Sequence, residues 1–566
     1  MSSWLCGAAL ALVCALALGC SNGESSVKIG GQGGSSPGAG APNGNGGSAS
    51  PAGGSANGAG GTTSALNGVV TFSVPSCTFE SPFQVTLTSS LPNSEIRYTT
   101  SGQTPTASST LYTGSPLQVS NTTNYAAMVF VNGAPAGLPA SVVYVRRSGN
   151  ISSDLPLIVL DDMGAGPPNQ TAFTTTNFML FETQGGQAST SNPPTVATRA
   201  GFHVRGQTSA MFPQQQYRVE LRDSTDNDAN FPLLGMPSES DWVLHAPYVD
   251  KSLLRNAFAY GLGKEMGLQA PRFAFAEVYL NTDNSPLEAR DYNGVYLLVE
   301  TIKNQKDRLN LQQLKATDTA LPAIAGGYIL KFELDVAEQP ILTCQRSSGV
   351  TCWQDLEVYD PEPLIASQQA YITSYIQSFH NNLFGSGFAD PNTGYASIID
   401  VDSFVNYMVF NELTRNLDAY IRSFYLYKDR DGKLFVGPMW DYNLMAGIGC
   451  CGNFAIEGFQ YQVARNGEAN GWHKRLMTDP VFASRVKNRY HELRAGILSD
   501  AALIGRIDGL AAPLQAAAQR HFQKWPILTT TTITFFTTSN ANSYAGQLTH
   551  MKNWLTQRGA WLDANW

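Results

Sequence analysis

Charge is scarce in this chain: Asp, Glu, Lys and Arg make up 14% of 566 residues, and the formal net charge is −8. No basic run is dense enough for a nucleic-acid groove, so nucleic acid is excluded and cations are the expected electrostatic partners. The histidines are scattered and no Cys or His pair has zinc-ligand spacing, which argues against a zinc centre. A Gly-rich phosphate loop, an internal repeat and a nucleophile-triad signature are all missing; Gly261-Leu262-Gly263 sits inside a helical pattern. After the amino terminus no apolar run is long enough to span a membrane. The length exceeds one ordinary core and implies roughly two to four domains.

The amino terminus has the pattern of a targeting segment. Leu5 to Leu18 is apolar and ends in Ala17-Leu18-Gly19-Cys20, which resembles a bacterial lipoprotein signal (1–20) with Cys20 as the lipidated residue; a secretory signal is the alternative. Residues 21–66 are Gly, Ser, Ala, Asn and Pro with few bulky apolar side chains, the composition of a disordered tether. The expected location is the bacterial envelope, lipid-anchored at the outer membrane or cell surface, or else the medium. Cysteine usage suits that compartment. Cys344 and Cys352 bracket a polar loop that a disulfide would close. Cys450-Cys451 are a vicinal pair, two thiols, or one partner for Cys77.

Residues 67–147 carry short alternating runs, Val69–Phe72, Phe83–Leu87, Glu95–Thr99 and Asn124–Met128, separated by Pro, Gly, Asn and Ser turns. That spacing predicts a β-sandwich. The stretch Tyr98-Thr99-Thr100-Ser101-Gly102-Gln103-Thr104-Pro105-Thr106 resembles the signature of the Ig-like C-terminal domain of chitobiases and β-hexosaminidases. The resemblance implies an accessory module, a spacer rather than a sugar-binding unit.

Two acids flank a predicted hairpin in the last third. Ser423–Tyr427 has the pattern of a strand, Asp429-Arg430-Asp431-Gly432 of a tight turn, and Lys433–Val436 of the returning strand. Strands in a hairpin lie about 5 Å apart, so Asp418 before the first and Asp441 after the second can converge. Two such carboxylates suit a divalent cation carrying phosphates, or a base beside a metal. The plainer alternative is that each caps a turn or loop.

Four ordered segments between Val204 and Asp441 resemble the CotH kinase family of atypical, protein-kinase-like proteins. They are Val204-Arg205-Gly206-Gln207-Thr208-Ser209 leading to Tyr217-Arg218; Asp241-Trp242-Val243-Leu244 with Asp250–Asn256; Glu277–Asn281 with Tyr292–Glu300; and the hairpin with Trp440-Asp441. The resemblance implies a multidomain chain, an all-β Ig-like sandwich followed by an α+β bilobal kinase-like domain over 154–566. Its first lobe is expected to pack the helix Ser252–Met266 on an antiparallel sheet, with a turn at Asn293-Gly294. Its second lobe is expected to be mainly helical, with helices at Ala366–Phe384 and Asp402–Leu413, the latter capped by Asp402. Farther on, Trp472–Leu498 has the pattern of one amphipathic helix, and Met551–Trp561 of a closing helix.

By the same resemblance Asp418 is the catalytic-loop acid, base or metal ligand, and Asp441 the metal-binding acid, with Ser423 and Asn443 as further ligand positions. Arg205 is a phosphate contact, and Glu300 and Lys331 are an ion pair, phosphate contacts or, on the plainer reading, surface charges at strand ends. Asp250 and Arg255 are a structural salt bridge or site residues. ATP with Mg²⁺ or Mn²⁺ is the implied cofactor set. Three positions depart from the family pattern: Gln214-Gln215-Gln216 stands where a Lys pair is usual, Ser423 where an Asn binds metal, and Asn443 where a second carboxylate follows Trp-Asp. Each change removes charge or ligand strength from a hard-cation site. Two readings result: an ATP-dependent Ser/Thr protein kinase acting on envelope or secreted proteins, or a pseudokinase-type surface lipoprotein that binds proteins or glycans.

Overall fold

The computed structural model describes residues 68–333, 340–345, 352–450, 455–463 and 471–566. The signal, Cys20, the tether and Cys451 lie outside them. The first folded unit is the expected sandwich. Its main sheet runs through Cys77–Phe79, Ala140–Arg146, Thr123–Val131, Glu95–Thr99 and Thr110–Leu111, and smaller pairs such as Val70–Phe72 with Leu87–Ser89 complete it. Val85, Val119, Val129 and Tyr144 fill its core.

The sandwich is docked on the second folded unit through its signature loop. Thr104 donates from both its backbone N–H and its hydroxyl to Ser224 O, each at 2.8 Å, and Arg199 reaches Ser101 O at 3.0 Å. Gly102, with φ +74, lies so close to Asn124 that a Cβ would sit 2.4 Å from its amide oxygen.

That second unit opens with a seven-stranded barrel: β1 Leu157–Asp161, β2 Thr174–Phe181, β3 Val196–Arg205, β4 Gln216–Arg222, β5 Asp241–His245, β6 Phe273–Asn281 and β7 Tyr292–Glu300. The order is β1-β2-β3-β4-β5-β7-β6, closed by a parallel pairing of β6 with β1. The expected packing of a helix on an antiparallel sheet is present, but the sheet is closed into a barrel. Both faces of the central strands are apolar, so burial on each side is the physical reason. Tyr296 and Leu298 of β7 point into the barrel with Trp242 and Leu244, while Val295, Leu297, Val299 and Val243 point out. The outward set packs on helix α1, Arg255–Glu265, whose Leu254, Ala257, Phe258, Leu262 and Met266 stripe joins the core of the second lobe. Asn293-Gly294 is no turn; it lies within β7 beside a bulge. Gly294 is needed there for another reason, since a Cβ would meet Gln214, His521 and Trp525 at 2.8–3.0 Å.

The second lobe mixes a sheet with helices. Its strands are β8 Tyr328–Phe332, β9 Leu356–Asp360, β10 Phe424–Lys428 and β11 Leu434–Val436, in the order β9-β8-β10-β11. Helix α2, Ala366–Phe384, forms as expected. Helix α3, Val401–Thr414, is capped by Asp400, whose carboxylate accepts from Ser403 N–H at 2.8 Å, rather than by Asp402. The Trp472–Leu498 stretch is broken into α4 Trp472–Leu476 and α5 Pro480–Arg494, because Asp479 caps the second helix and Pro480 opens it. Helices α6 Asp500–Ala511, α7 Gln515–Lys524 and α8 Tyr544–Asn565 close the chain. Cys344 and Cys352 are joined by a disulfide, while Cys77 keeps a thiol. Among the described residues no helix is long and apolar enough to cross a membrane.

Candidate functional site

Asp418 and Asp441 are brought together by two backbone bonds between their segments. Leu417 N–H donates to Leu444 O at 3.0 Å and Ala446 N–H to Thr414 O at 2.8 Å, so the chain leaving α3 lies along the chain leaving the β10–β11 hairpin. Non-glycine residues with left-handed φ cluster here: Arg415 at 45°, Tyr420 at 72°, Ser423 at 47° and Asp441 at 59°. Such positions cost on the order of 1 kcal/mol or more each and persist only where surrounding contacts enforce them.

Those contacts come from buried charges. Glu412 of α3 accepts from Tyr420 Oη at 2.8 Å and from the N–H groups of Gln460 and Tyr461 at 2.6 and 2.8 Å. Burial raises its carboxyl pKa, and the Arg558 guanidinium opposes the rise. Arg558 also donates to Glu412 O and Gly458 O at 2.8 and 2.7 Å. From the first lobe, Arg255 donates to the carbonyls of Met445 at 2.7 Å and Ala446 at 2.9 Å while paired with Asp250. The Asp250–Arg255 pair is therefore structural, fixing the loop that carries Asp441. Gly263 of α1 serves the same approach: a Cβ would fall 1.9 Å from Met439 Sδ.

A small cavity lies between the lobes, lined by Arg205, His245, Asn256, Tyr260, Trp440 and Asp441, with room of about 10 Å³, near that of one water. Burial pushes the Asp441 carboxyl up to about 7, and the Asp418 and Glu333 carboxylates add to the rise against the pull of Arg205. Glu333 follows β8 directly opposite Ser423, whose hydroxyl donates to its Oε2 at 3.3 Å. Asp418 and Glu333 thus lie close enough to act on Asp441, with Arg205 on Asp441 as well. Arg205 stacks over Trp440 with 5.4 Å to the ring centroid. His245 is held neutral, with its pKa pushed down to about 3 by burial and by Arg205.

Other expected site residues go elsewhere. Glu300 is buried against Arg272 at 2.7 Å and Arg308 at 3.1 Å, whereas Lys331 pairs with Glu357 at 2.7 Å. The expected Glu300–Lys331 pair is replaced by two separate pairings because the residues sit on different sheets. Neither lines the cavity. Asn443 is partly exposed beside Asp441. Gln214 turns inward to Asn293 O and Val295 O at 3.2 and 3.1 Å, and Gln216 to Arg205 at 3.1 Å. Sequence reasoning missed Glu333, His245 and Asn256 as members of the site. Asn256 left the best trace, a poor helix former at the start of α1 outside its apolar stripe.

The sequence model of the CotH kinase protein family matches residues 202–562, more than half of the chain. The chain belongs to the CotH kinase protein family. A second model, the chitobiase/β-hexosaminidase C-terminal domain, matches residues 74–140. The inner spore coat protein H of Bacillus subtilis (strain 168) is 24% identical over 275 residues, covering 45% of this chain and 68% of that protein. A chain from the solved Shewanella oneidensis MR-1 toxin–antitoxin complex of HipA, HipB and operator DNA matches with 12% identity and a TM-score of 0.22. The match covers 62% of this chain and 65% of that one.

For a cation, the site offers hard oxygen donors in Asp418, Asp441 and Glu333. Among the described residues, however, no three His, Cys, Asp or Glu side chains form a ready metal cage. The donors present fit a divalent ion completed by neutral oxygens or by phosphates, as is usual for Mg²⁺.

Proposed function

We propose that the protein is a secreted or surface-anchored atypical kinase that transfers the ATP γ-phosphoryl group to Ser or Thr of envelope or secreted proteins. The observation that carries this reading is the meeting of Asp418, Asp441 and Glu333 with Arg205 beside an interlobe cavity. ATP supplies the phosphoryl group when bound, and Mg²⁺ or Mn²⁺ offsets its charge. Asp441 and Asp418 would hold the cation, with Ser423 and Asn443 as weaker oxygens. Asp418 also takes the proton of the acceptor hydroxyl. Arg205 is suited to bidentate pairing with a phosphate. Glu333 returns a negative charge beside Ser423, where the family Asn is missing.

The cavity itself has room for about one water, so a polyphosphate would meet Arg205 at the partly exposed mouth. A surface location agrees with the spore-coat relative, and a lipid on Cys20 would tether the protein to a membrane. The neutral Gln215, Ser423 and Asn443, together with the small cavity, favour a second reading, a non-catalytic scaffold binding envelope proteins or glycans. The test is transfer of label from γ-labelled ATP to envelope protein with each metal, using wild type, Asp418→Ala and Asp441→Ala. Label lost in both variants supports the kinase; no transfer by a folded wild type leaves the scaffold.

A further inference from the structure

One backbone group sets the direction of a chain of hydrogen bonds beside the cavity. The amide of Tyr442 can only donate, and it meets Asn256 Oδ1 at 2.6 Å. The Asn256 carboxamide is thereby oriented, and its Nδ2 is the atom 3.0 Å from His245 Nε2. That ring nitrogen must accept, so the proton of the neutral imidazole is on Nδ1. Nδ1–H donates to Gln216 Oε1 at 3.2 Å, and the second lone pair of that oxygen accepts from Arg205 at 3.1 Å. Arg205 completes the path over Trp440. The chain of bonds therefore begins at the residue after Asp441 and ends at the residue before it.

Its members come from β3, β4, β5, α1 and the loop carrying Asp441, so it ties the barrel to the second lobe. Gln216 and Asn256 are 4% exposed and His245 5%, so a broken link cannot be repaired by bulk water. A histidine kept only for packing would not need both nitrogens satisfied in one fixed sense. His473, buried among aromatic rings, shows the contrast: neither of its ring nitrogens has a partner among the described residues.

We infer that His245 is a positioning residue for the Asp441 site, its Nδ1–H tautomer aiming Gln216 at Arg205 and so holding the guanidinium where a polyphosphate would meet it. The inference rests on the phosphotransfer reading above. Its test is a double-mutant cycle on the affinity for Mn²⁺-ATP, measured by calorimetry with wild type, His245→Phe, Gln216→Met, Arg205→Ala and each double variant. His245→Phe and Gln216→Met are each expected to weaken binding roughly ten- to a hundredfold, the worth of a hydrogen bond to a charged group. In the Arg205→Ala background each should add less than about twofold. Imidazole ¹⁵N shifts of the wild type should show a neutral His245 protonated on Nδ1 at pH 6.

A wild type that binds while His245→Phe binds equally well overturns the inference alone. So does a full additive effect on Arg205→Ala, the mark of a merely structural role, and so does an Nε2–H tautomer. A folded wild type that binds no Mn²⁺-ATP overturns the phosphotransfer reading and this inference with it. Should His245→Phe fail to fold, the Gln216→Met cycle decides by the same criteria.

Discussion

The sandwich and the CotH region each carry a family motif, and the two motifs are put to different use. In the sandwich, the Tyr98–Thr106 run is spent on a joint: Ser101 and Thr104 bond to Arg199 and Ser224 of the barrel side. In the CotH region, residues from five separate segments converge on one cavity, with Asp418 and Glu333 acting on Asp441 beside it. A recognisable motif can thus record how two units fit together as readily as what they do. A site is marked instead by polar groups that packing does not require. The two regions differ in titration too, since residues 68–147 contain no histidine while the CotH region buries several in neutral form.

Three substitutions break or sharpen that comparison. Arg255→Ala should have the largest effect, because it strands the buried Asp250 carboxylate and frees the Met445 and Ala446 carbonyls. A loss of about 3–5 kcal/mol is expected in denaturant unfolding of the CotH region, with the sandwich transition unmoved. A loss below about 1 kcal/mol would show that the pair does not hold the Asp441 loop.

His473→Phe comes next and acts through pH. The His473 pKa is pushed down to about 3 by burial, so the unfolded chain takes up a proton below pH 6.5 that the folded chain refuses. Its contribution to stability is complete above that value and shrinks as pH falls toward 3. The variant should match or exceed wild type at pH 7 and gain about 2 kcal/mol on it by pH 5. A stability difference that stays constant from pH 7 to 5 would contradict a neutral buried ring.

Arg199→Ala should be the mildest, costing about 1 kcal/mol at the joint. Calorimetric unfolding should then set the sandwich transition farther from that of the barrel, while affinity for metal-nucleotide is unchanged. A drop in that affinity would place the joint in the working site.

Much of the fold was legible because it is written in local pattern. The β10–β11 hairpin follows from its Asp-Arg-Asp-Gly turn, α1 from its apolar stripe, and the Cys344–Cys352 disulfide from a short polar loop. Barrel closure was not, since pairing Leu157 with Glu277 joins strands more than a hundred residues apart with no turn to announce it. Asn293-Gly294 has turn chemistry, yet tertiary crowding by His521 and Trp525 explains the glycine. In the site, the acids were readable from the hairpin geometry. Glu333, His245 and Asn256 were not, because hydrogen-bond partners drawn from separate elements leave no spacing signal. Glu300 and Lys331 were readable as charges, but their partners Arg272 and Glu357 were not.

The most direct measurement is a calorimetric titration of ATP with Mg²⁺ or Mn²⁺ into wild type and Asp441→Asn, each shown to be folded. Metal-dependent binding by the wild type, weakened about tenfold or more in the variant, is the predicted result. Absence of binding with either metal would contradict a nucleotide site at Asp418 and Asp441 and leave the CotH region a binding scaffold.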